Sequence, residues 1–265
     1  MTLKRYKVAS LLNVLGLTLA FVAFYIIASQ VWFTLTYNHS LKDADRTYLI
    51  SPNFGGEKGD MKWSSNSPGD LAYVAAEQFP DAEEVASYAP YAAISRIWVK
   101  KSEYNFESFN DQIFYATPNL PSFFGFECLA GDFNELKNPN TVIMSRSEAE
   151  KLGLGVGDVI YLEGGRMFDD GKPTVQNTIV AIYEDMPKNS IFGHWSIVQG
   201  DEQVHTSGTN NWNYTNFVRM REGADLTTYI EIFKKGYADW FLGMAEEWVA
   251  EDPEEEELLK EEIEN

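Results

Sequence analysis

The sequence predicts an α+β protein: one N-terminal transmembrane helix, then a two-lobed external domain of mixed short strands and helices. Three observations predict it. An uncharged apolar run opens the chain, β-rich segments alternate with short amphipathic ones through the middle, and a Glu-rich segment ends it.

The apolar run comes first. No charged side chain occurs from Val8 to Leu41, and Leu11–Phe33 reads LLNVLGLTLAFVAFYIIASQVWF. At about 1.5 Å per residue these residues reach roughly 34 Å as a helix, enough to cross a hydrocarbon core of about 30 Å. Asn13 and Gln30 fall near its two ends, and Trp32 and Tyr37 suit an interfacial aromatic belt. Lys4, Arg5 and Lys7 flank the other end, so the positive-inside rule places the N-terminus in the cytoplasm and everything after about Tyr37 outside. The rival is a cleaved signal peptide, whose apolar region is usually about 7–15 residues before a small-residue site. The run here is longer, and Ile26–Gln30 makes a poor site, so a permanent helix is expected. Gly16 and Ala20 form a small-xxx-small pair that lets helices approach closely in lipid, although small residues occur in any membrane helix.

Beyond the helix, Thr47–Ile50 reads as a strand and residues 53–67 as a Gly- and Ser-rich loop. Ser67-Pro68-Gly69-Asp70 predicts a helix start, with Ser67 as cap and Pro68 in the first turn, and Pro80 ends the helix after Phe79. Val85–Lys101 and Phe106–Phe114 are β-rich, and Leu120–Phe126 is a short aromatic helix or turn. Thr141–Met144, Val159–Leu162, Asn177–Tyr183 and Thr215–Met220 read as strands, Ser147–Leu152 and Leu226–Trp240 as helices, and Asp185–Ser190 as a polar turn. A weak composition break at residues 134–140, NELKNPN, hints at the boundary between two lobes. The expected domains are 1–36, foot and membrane helix; 37–244, external core; and 245–265, acidic tail. The tail is either a solvated helix interrupted at Pro253 or frayed chain.

Charge narrows the function classes. The formal charge of −19 opposes binding to nucleic-acid phosphates or to an anionic lipid surface, and no nucleic-acid partner is expected. The residues from Phe241 to Asn265 hold eleven acids and one Lys, more than half of the net charge. Cys128 is the single cysteine, so neither an intramolecular disulfide nor a Cys-based zinc site is available.

Residues suited to chemistry do not assemble into a motif. His39, His194 and His205 lack metal-motif spacing, and surface positions explain them better. Gly153–Asp158, GLGVGD, lacks the Lys-Ser/Thr of a phosphate loop and precedes a strand, so it reads as turn glycines. Ser147 and Ser190 lack a nucleophile-elbow context. Trp63, Trp98, Trp195, Trp212 and Trp240 are candidates for a cleft, though core packing is the commoner fate. The expectation is no enzyme: no catalytic residue, no cofactor and no metal.

Five strings, in order, carry a resemblance. Ser10–Thr18 (SLLNVLGLT), then Tyr37-Asn38 with Leu41–Tyr48 (LKDADRTY), resemble a first membrane helix and the Y-D-x-F-H-x-x-A-D-R-I-Y segment just outside it. Asn140–Leu152 (NTVIMSRSEAEKL), Thr178–Phe192 (TIVAIYEDMPKNSIF, against V-x-G-V-x-x-D-x-P-x-N-S) and Asn216–Asp225 (NFVRMREGAD) follow. Together they resemble the N-terminal half-unit of MacB/FtsX-like ABC transporter permeases. Asn38 stands where that pattern usually has Asp, and Ala181 where it usually has Gly.

The resemblance implies a periplasmic core domain with a porter-like lobe and a mostly β lobe, held in the inner membrane. It also implies a dimer or second permease half, membrane lipid, and a cytoplasmic ABC ATPase as partners, with the external domain transmitting conformational change. The family pattern continues with three further membrane helices that this sequence does not contain. The chain is therefore expected to be either a permease fragment or subunit, or a stand-alone anchored binding or scaffold module of the cell envelope.

Overall fold

A computed structural model describes residues 7–51, 64, 66–103, 105–162, 168–169, 172–173, 175–201, 212–225, 227, 229–230 and 243. The described chain forms two compact units. One comprises the N-terminal residues to Leu41 with Met186–His194, and the other comprises Lys42–Asp185 with the residues from Trp195 onward.

In the first unit, α1 (Lys7–Leu35) is long and apolar enough to cross a membrane. Its hydroxyls are satisfied within the helix: Thr18 donates to the Val14 carbonyl at 2.7 Å, Ser29 to Ile26 at 2.8 Å and Thr34 to Gln30 at 3.0 Å. Such back-bonding removes the cost of bare hydroxyls in hydrocarbon.

The second unit is built on a nine-stranded sheet. In chain order its elements are β1 (Thr47–Ile50), α2 (Leu71–Gln78), β2 (Ala82–Ser102), β3 (Asn105–Ala116), α3 (Leu120–Phe124), β4 (Cys128–Gly131) and β5 (Thr141–Ser145). Then come α4 (Arg146–Leu152), β6 (Val159–Leu162), the short pair β7 (Phe168–Asp169) and β8 (Lys172–Pro173), β9 (Val175–Tyr183), β10 (Ile197–Gly200) and β11 (Thr215–Met220). The main strand order is β1-β11-β2-β3-β10-β5-β9-β4, and β6 bridges β2 and β9.

That bridge closes a ring. Ile97, Trp98 and Val99 of β2 pair with Leu162, Tyr161 and Ile160 of β6, and β6 pairs again with Val175–Thr178. The six strands β2, β3, β10, β5, β9 and β6 therefore form a small closed barrel without an edge among them. Its filling is aliphatic: Ile97, Val99, Ile113, Val142, Met144, Ile160, Leu162, Ile179 and Ile197 cluster with Ala149 and Leu152 of α4. α4 is a well-signed helix, with Ser145 accepting from the Glu148 N–H at its start and Gly153 in a left-handed conformation at its end.

Beside the barrel, β1, β11 and the first half of β2 form an open layer carrying α2. Leu71, Ala72, Ala75 and Phe79 pack there against Ile50, Val85, Val218 and Met220. Both regions share β2, which bears on the expected lobe boundary. The 134–140 segment does not separate lobes, because it is a turn between β4 and β5, which both pair with β9.

Most predicted strands stand where the alternation placed them. Four were illegible: β4, too short and exposed to alternate, the two-residue β7 and β8, and β10, whose buried Ile197 and Val198 continue an aromatic loop. Ser67 is not a helix cap. It forms a bridge with Tyr214 and accepts from Asn216 Nδ2 at 2.8 Å, while the helix begins at Leu71 after Asp70, which makes no side-chain cap. Thr227, Tyr229 and Ile230 are helical, but the rest of the predicted Leu226–Trp240 helix lies outside the described residues, as do the acidic tail, Trp63 and His205.

Candidate functional site

The first unit holds an unusual junction. The apolar helix ends at Leu35 and the chain reverses over Thr36–Leu41, with Asn38 left-handed at φ 64°. Asn is one of the few side chains that tolerate that region without large strain. A segment from far along the chain, Met186–His194, folds onto this end. The Asn38 N–H donates to the Asn189 carbonyl at 2.8 Å, and the Ile191 N–H donates to Asn38 Oδ1 at 2.8 Å. Asn189 Nδ2 in turn donates to the Thr36 carbonyl at 3.1 Å and to Thr36 Oγ1 at 2.9 Å. Two asparagines thus clasp each other's segments, and Asn189 adds a second donor to the Thr36 carbonyl, which also accepts from the His39 N–H at 3.2 Å.

The turn is preorganised for this. Ser190 donates from both N–H and Oγ to the Pro187 carbonyl, at 3.0 and 2.8 Å, and the Gly193 N–H donates to Ser190 at 3.1 Å. A Cβ on Gly193 would stand 2.5 Å from that same carbonyl, so the tight winding requires glycine. Ser190 is therefore a turn residue, as the sequence expects.

The second unit has a polar brace of its own. Arg219 of β11 is buried at 4% exposure. Its Nη1 donates to Glu84 at 2.9 Å, its Nη2 donates to the Phe123 carbonyl, its guanidinium lies 4.1 Å from the Phe123 ring centroid, and its Nε is 3.4 Å from Asp43. Asp43, left-handed at φ 53°, also pairs with Arg46 at 3.0 Å, and Arg46 reaches Glu83 and the Met220 carbonyl. The Arg46 hydrogen bond, aided by the charges of Arg46 and Arg219, holds the Asp43 carboxyl below its ordinary range. This brace ties the first residues of the unit, Lys42–Arg46, to its last sheet strand, and the LKDADRTY and NFVRMREGAD strings meet there.

A third cluster lies at the barrel. Glu148 and Lys151 of α4 pair at 2.9 Å, Lys151 lies 3.8 Å from Asp111 of β3, and Ser196 donates to Asp111. Burial raises the Glu148 carboxyl above its usual range, and the neighbouring Asp111 adds to the effect against the pull of Lys151. Lys151 is thus shared between the two carboxylates. Ser147 donates to Asp185 at 2.7 Å, so it too has a structural partner. Among the described residues no group of three His, Cys, Asp or Glu side chains could hold a metal ion.

The other sequence candidates fall out plainly. Trp98 and Trp195 are core residues, Trp195 stacking on Phe114 at 4.2 Å, and Trp212 is half-buried. Gly153 and Gly157 have positive φ and form the turn before β6. Gly16 and Ala20 lie one turn apart on the exposed surface of α1, and no described residue packs on Gly16. The asparagine clasp was missed from the residues alone, because its partners lie 153 positions apart. Its signal was Pro-x-Asn-Ser in a polar turn, which reads as local turn chemistry until the distant Thr-x-Asn is set beside it.

The MacB-like periplasmic core domain family matches residues 10–235. No curated protein matches the sequence. The fold is similar to a solved domain of a protein described as a permease from Porphyromonas gingivalis, at 21% identity and TM-score 0.60, covering 74% of this chain and 81% of that one. It is also similar to the periplasmic region of MacB from Actinobacillus actinomycetemcomitans, at 9% identity and TM-score 0.52, covering 76% and 86%. The matched family is a permease periplasmic domain, not a catalytic one. With an apolar helix leading into this sheet, and the quoted strings in family order, the chain belongs to the MacB-like periplasmic core domain family.

Proposed function

We propose that this chain is a non-catalytic membrane component of an ABC-type export or mechanotransmission complex. In this reading α1 crosses the inner membrane with its N-terminus in the cytoplasm, and the sheet-rich unit works outside. The partners are a cytoplasmic ABC ATPase and a second permease half or second copy. The Gly16–Ala20 face offers that neighbour a close helix approach. The observation that carries the reading is the clasp: a helix expected to move in the membrane is hydrogen-bonded at its outer end to a turn whose two arms continue, in sequence, into β9 and β10. Displacement of the helix end therefore reaches two sheet strands directly, as well as through the covalent link at Lys42.

The test is purification of the full chain from native membranes with its partners retained. An ABC ATPase should copurify, and the double change Asn38→Ala with Asn189→Ala should leave that complex intact while abolishing the chain's effect on ATP turnover. Absence of any ATPase would reject the reading and leave a stand-alone anchored binding module in its place.

A further inference from the structure

The turn that grips the helix end has a second property. Its hydrogen bonds reach Thr36 and Asn38, which begin one residue beyond the last helical residue, Leu35. One helical turn rises only about 5 Å, so whatever depth Leu35 occupies, Met186–His194 is held close to it. If the apolar stretch through Leu35 spans the hydrocarbon, that depth is the headgroup layer. Trp32, 70% exposed, and the Phe33–Tyr37 pair, with ring centroids 6.4 Å apart, mark the same level as an aromatic belt.

Charge makes the same point independently. The chain carries 40 acids, yet Thr36–Leu41 and Met186–His194 contain none. Lys188 is their one lysine, and it is exposed, as are Pro187, His39 and His194. Glu184, Asp185 and Asp43 border these segments, but within them the charged side chain is the exposed Lys188 ammonium, which suits a phosphate. We infer that the Met186–His194 turn is a phospholipid contact, with Lys188 directed to headgroup phosphates of the outer leaflet. The lipid contact thus lies on a turn some 150 residues after the membrane helix in sequence, locked to it by Asn38 and Asn189. This inference rests on the membrane reading of α1 given above.

The experiment uses the full chain with Cys128→Ser, reconstituted in vesicles of phosphatidylcholine and phosphatidylglycerol carrying a headgroup spin label. A fluorophore is placed at Leu35→Cys, Lys188→Cys or Pro187→Cys in separate proteins. Quenching at 35 and at both turn positions is the expected result. Quenching at 35 alone overturns the inference and leaves the membrane reading standing, whereas quenching at none of the three rejects the membrane reading itself. With the label at 187, Lys188→Glu should reduce quenching by at least about twofold, because a single lysine near an anionic surface contributes an attraction of that order or more. Unchanged quenching would exclude the phosphate contact. Shielding of the turn labels from aqueous iodide without headgroup quenching would show a protein covering the turn instead, and would also overturn the inference.

Discussion

The barrel and the braced layer beside it share β2 yet are held together by different physics. The barrel closes on itself and buries an almost wholly aliphatic interior, where each fully buried side chain stabilises by about 1.5–3 kcal/mol and no direction is preferred. The layer of β1, β11 and β2 adds to its small apolar core a set of directional contacts. These are Arg219 with Glu84 and Asp43, Arg46 with Glu83, and Asn216 donating to Ser67 and to the Pro68 carbonyl. Apolar packing tolerates small slips, while a buried guanidinium with named acceptors does not. The contrast teaches where rigidity is specified: most sharply in the layer whose first residues, from Lys42, follow the apolar helix α1 in sequence.

The largest test of that contrast removes the guanidinium. Arg219→Ala should destabilise the protein by roughly 3 kcal/mol, since it strands the Phe123 carbonyl and removes the guanidinium that Glu84 and Asp43 share. Arg219→Met should recover part of the loss by keeping the packing over Phe123. Ile113→Ala in the barrel should cost a comparable 2–4 kcal/mol by leaving a cavity, but that cost should not respond to salt. Urea melts of the full chain in detergent at low and high ionic strength separate the two. A salt-insensitive Arg219→Ala would mean that the brace acts by packing alone.

One barrel residue breaks its own rule. Asn177 is fully buried on the same side of β9 as Ile179, opposite Ile160, and neither amide atom has a hydrogen-bond partner. A buried unmet amide costs about 1–3 kcal/mol, so Asn177→Leu should stabilise the protein by about 1 kcal/mol in the same melts. Loss of stability would show that the barrel needs the amide.

These cases also show what could be read in advance. The apolar run, the helix ending at Leu152 and the strands β1, β2, β3, β5, β6, β9 and β11 were legible because each rests on local pattern: period, β-rich composition or a flanking turn residue. Barrel closure was not, since it depends on β6 meeting β2 and β9 at once, and alternation says nothing about partners. The brace and the clasp were legible only as strings quoted for a resemblance. Asp43, Arg46, Arg219, Asn38 and Asn189 look like surface polar residues until chain reversal brings them together. The Ser67 cap failed for a related reason, because a bridge to Tyr214 and a bond from Asn216 outcompete a helix start.

The two regions should also answer pH with opposite sign. Asp43 in the brace has a lowered folded value against an ordinary 3.8. Its contribution is therefore complete above that value and is lost as pH falls through the lower, folded one. Glu148 at the barrel is raised above an ordinary 4.5, chiefly by burial. The folded state then binds the extra proton, so stability falls as pH rises from about 4.5 through the raised value. Wild type should gain stability on acidification from neutral towards pH 4.5, a gain missing in Glu148→Gln, and should lose it again below, a loss reduced in Asp43→Asn. Melts across that range check both slopes, and equal slopes in wild type and Glu148→Gln would remove the carboxylate pair from the account.

The smallest global effect belongs to the clasp, whose bonds are few and near the surface. Asn189→Ala should cost about 1 kcal/mol or less overall, so a melt is the wrong instrument. Its consequence is local: the Asn38 and Ile191 amides, bonded across the clasp, should exchange hydrogen faster while the barrel amides do not. Asn38 separates two contributions at one position. Asn38→Asp keeps an oxygen to accept from Ile191, so slow exchange there should survive. Asn38→Ala loses the acceptor and forces a Cβ residue without a polar side chain to hold φ near 64°. Asn38→Gly loses the acceptor but relieves the backbone. Exchange at Ile191 should therefore rank Asp as slowest, then Gly, then Ala. If Gly matches Asp, backbone conformation alone holds the turn, and the side-chain bond to Ile191 is incidental to how helix and turn are joined.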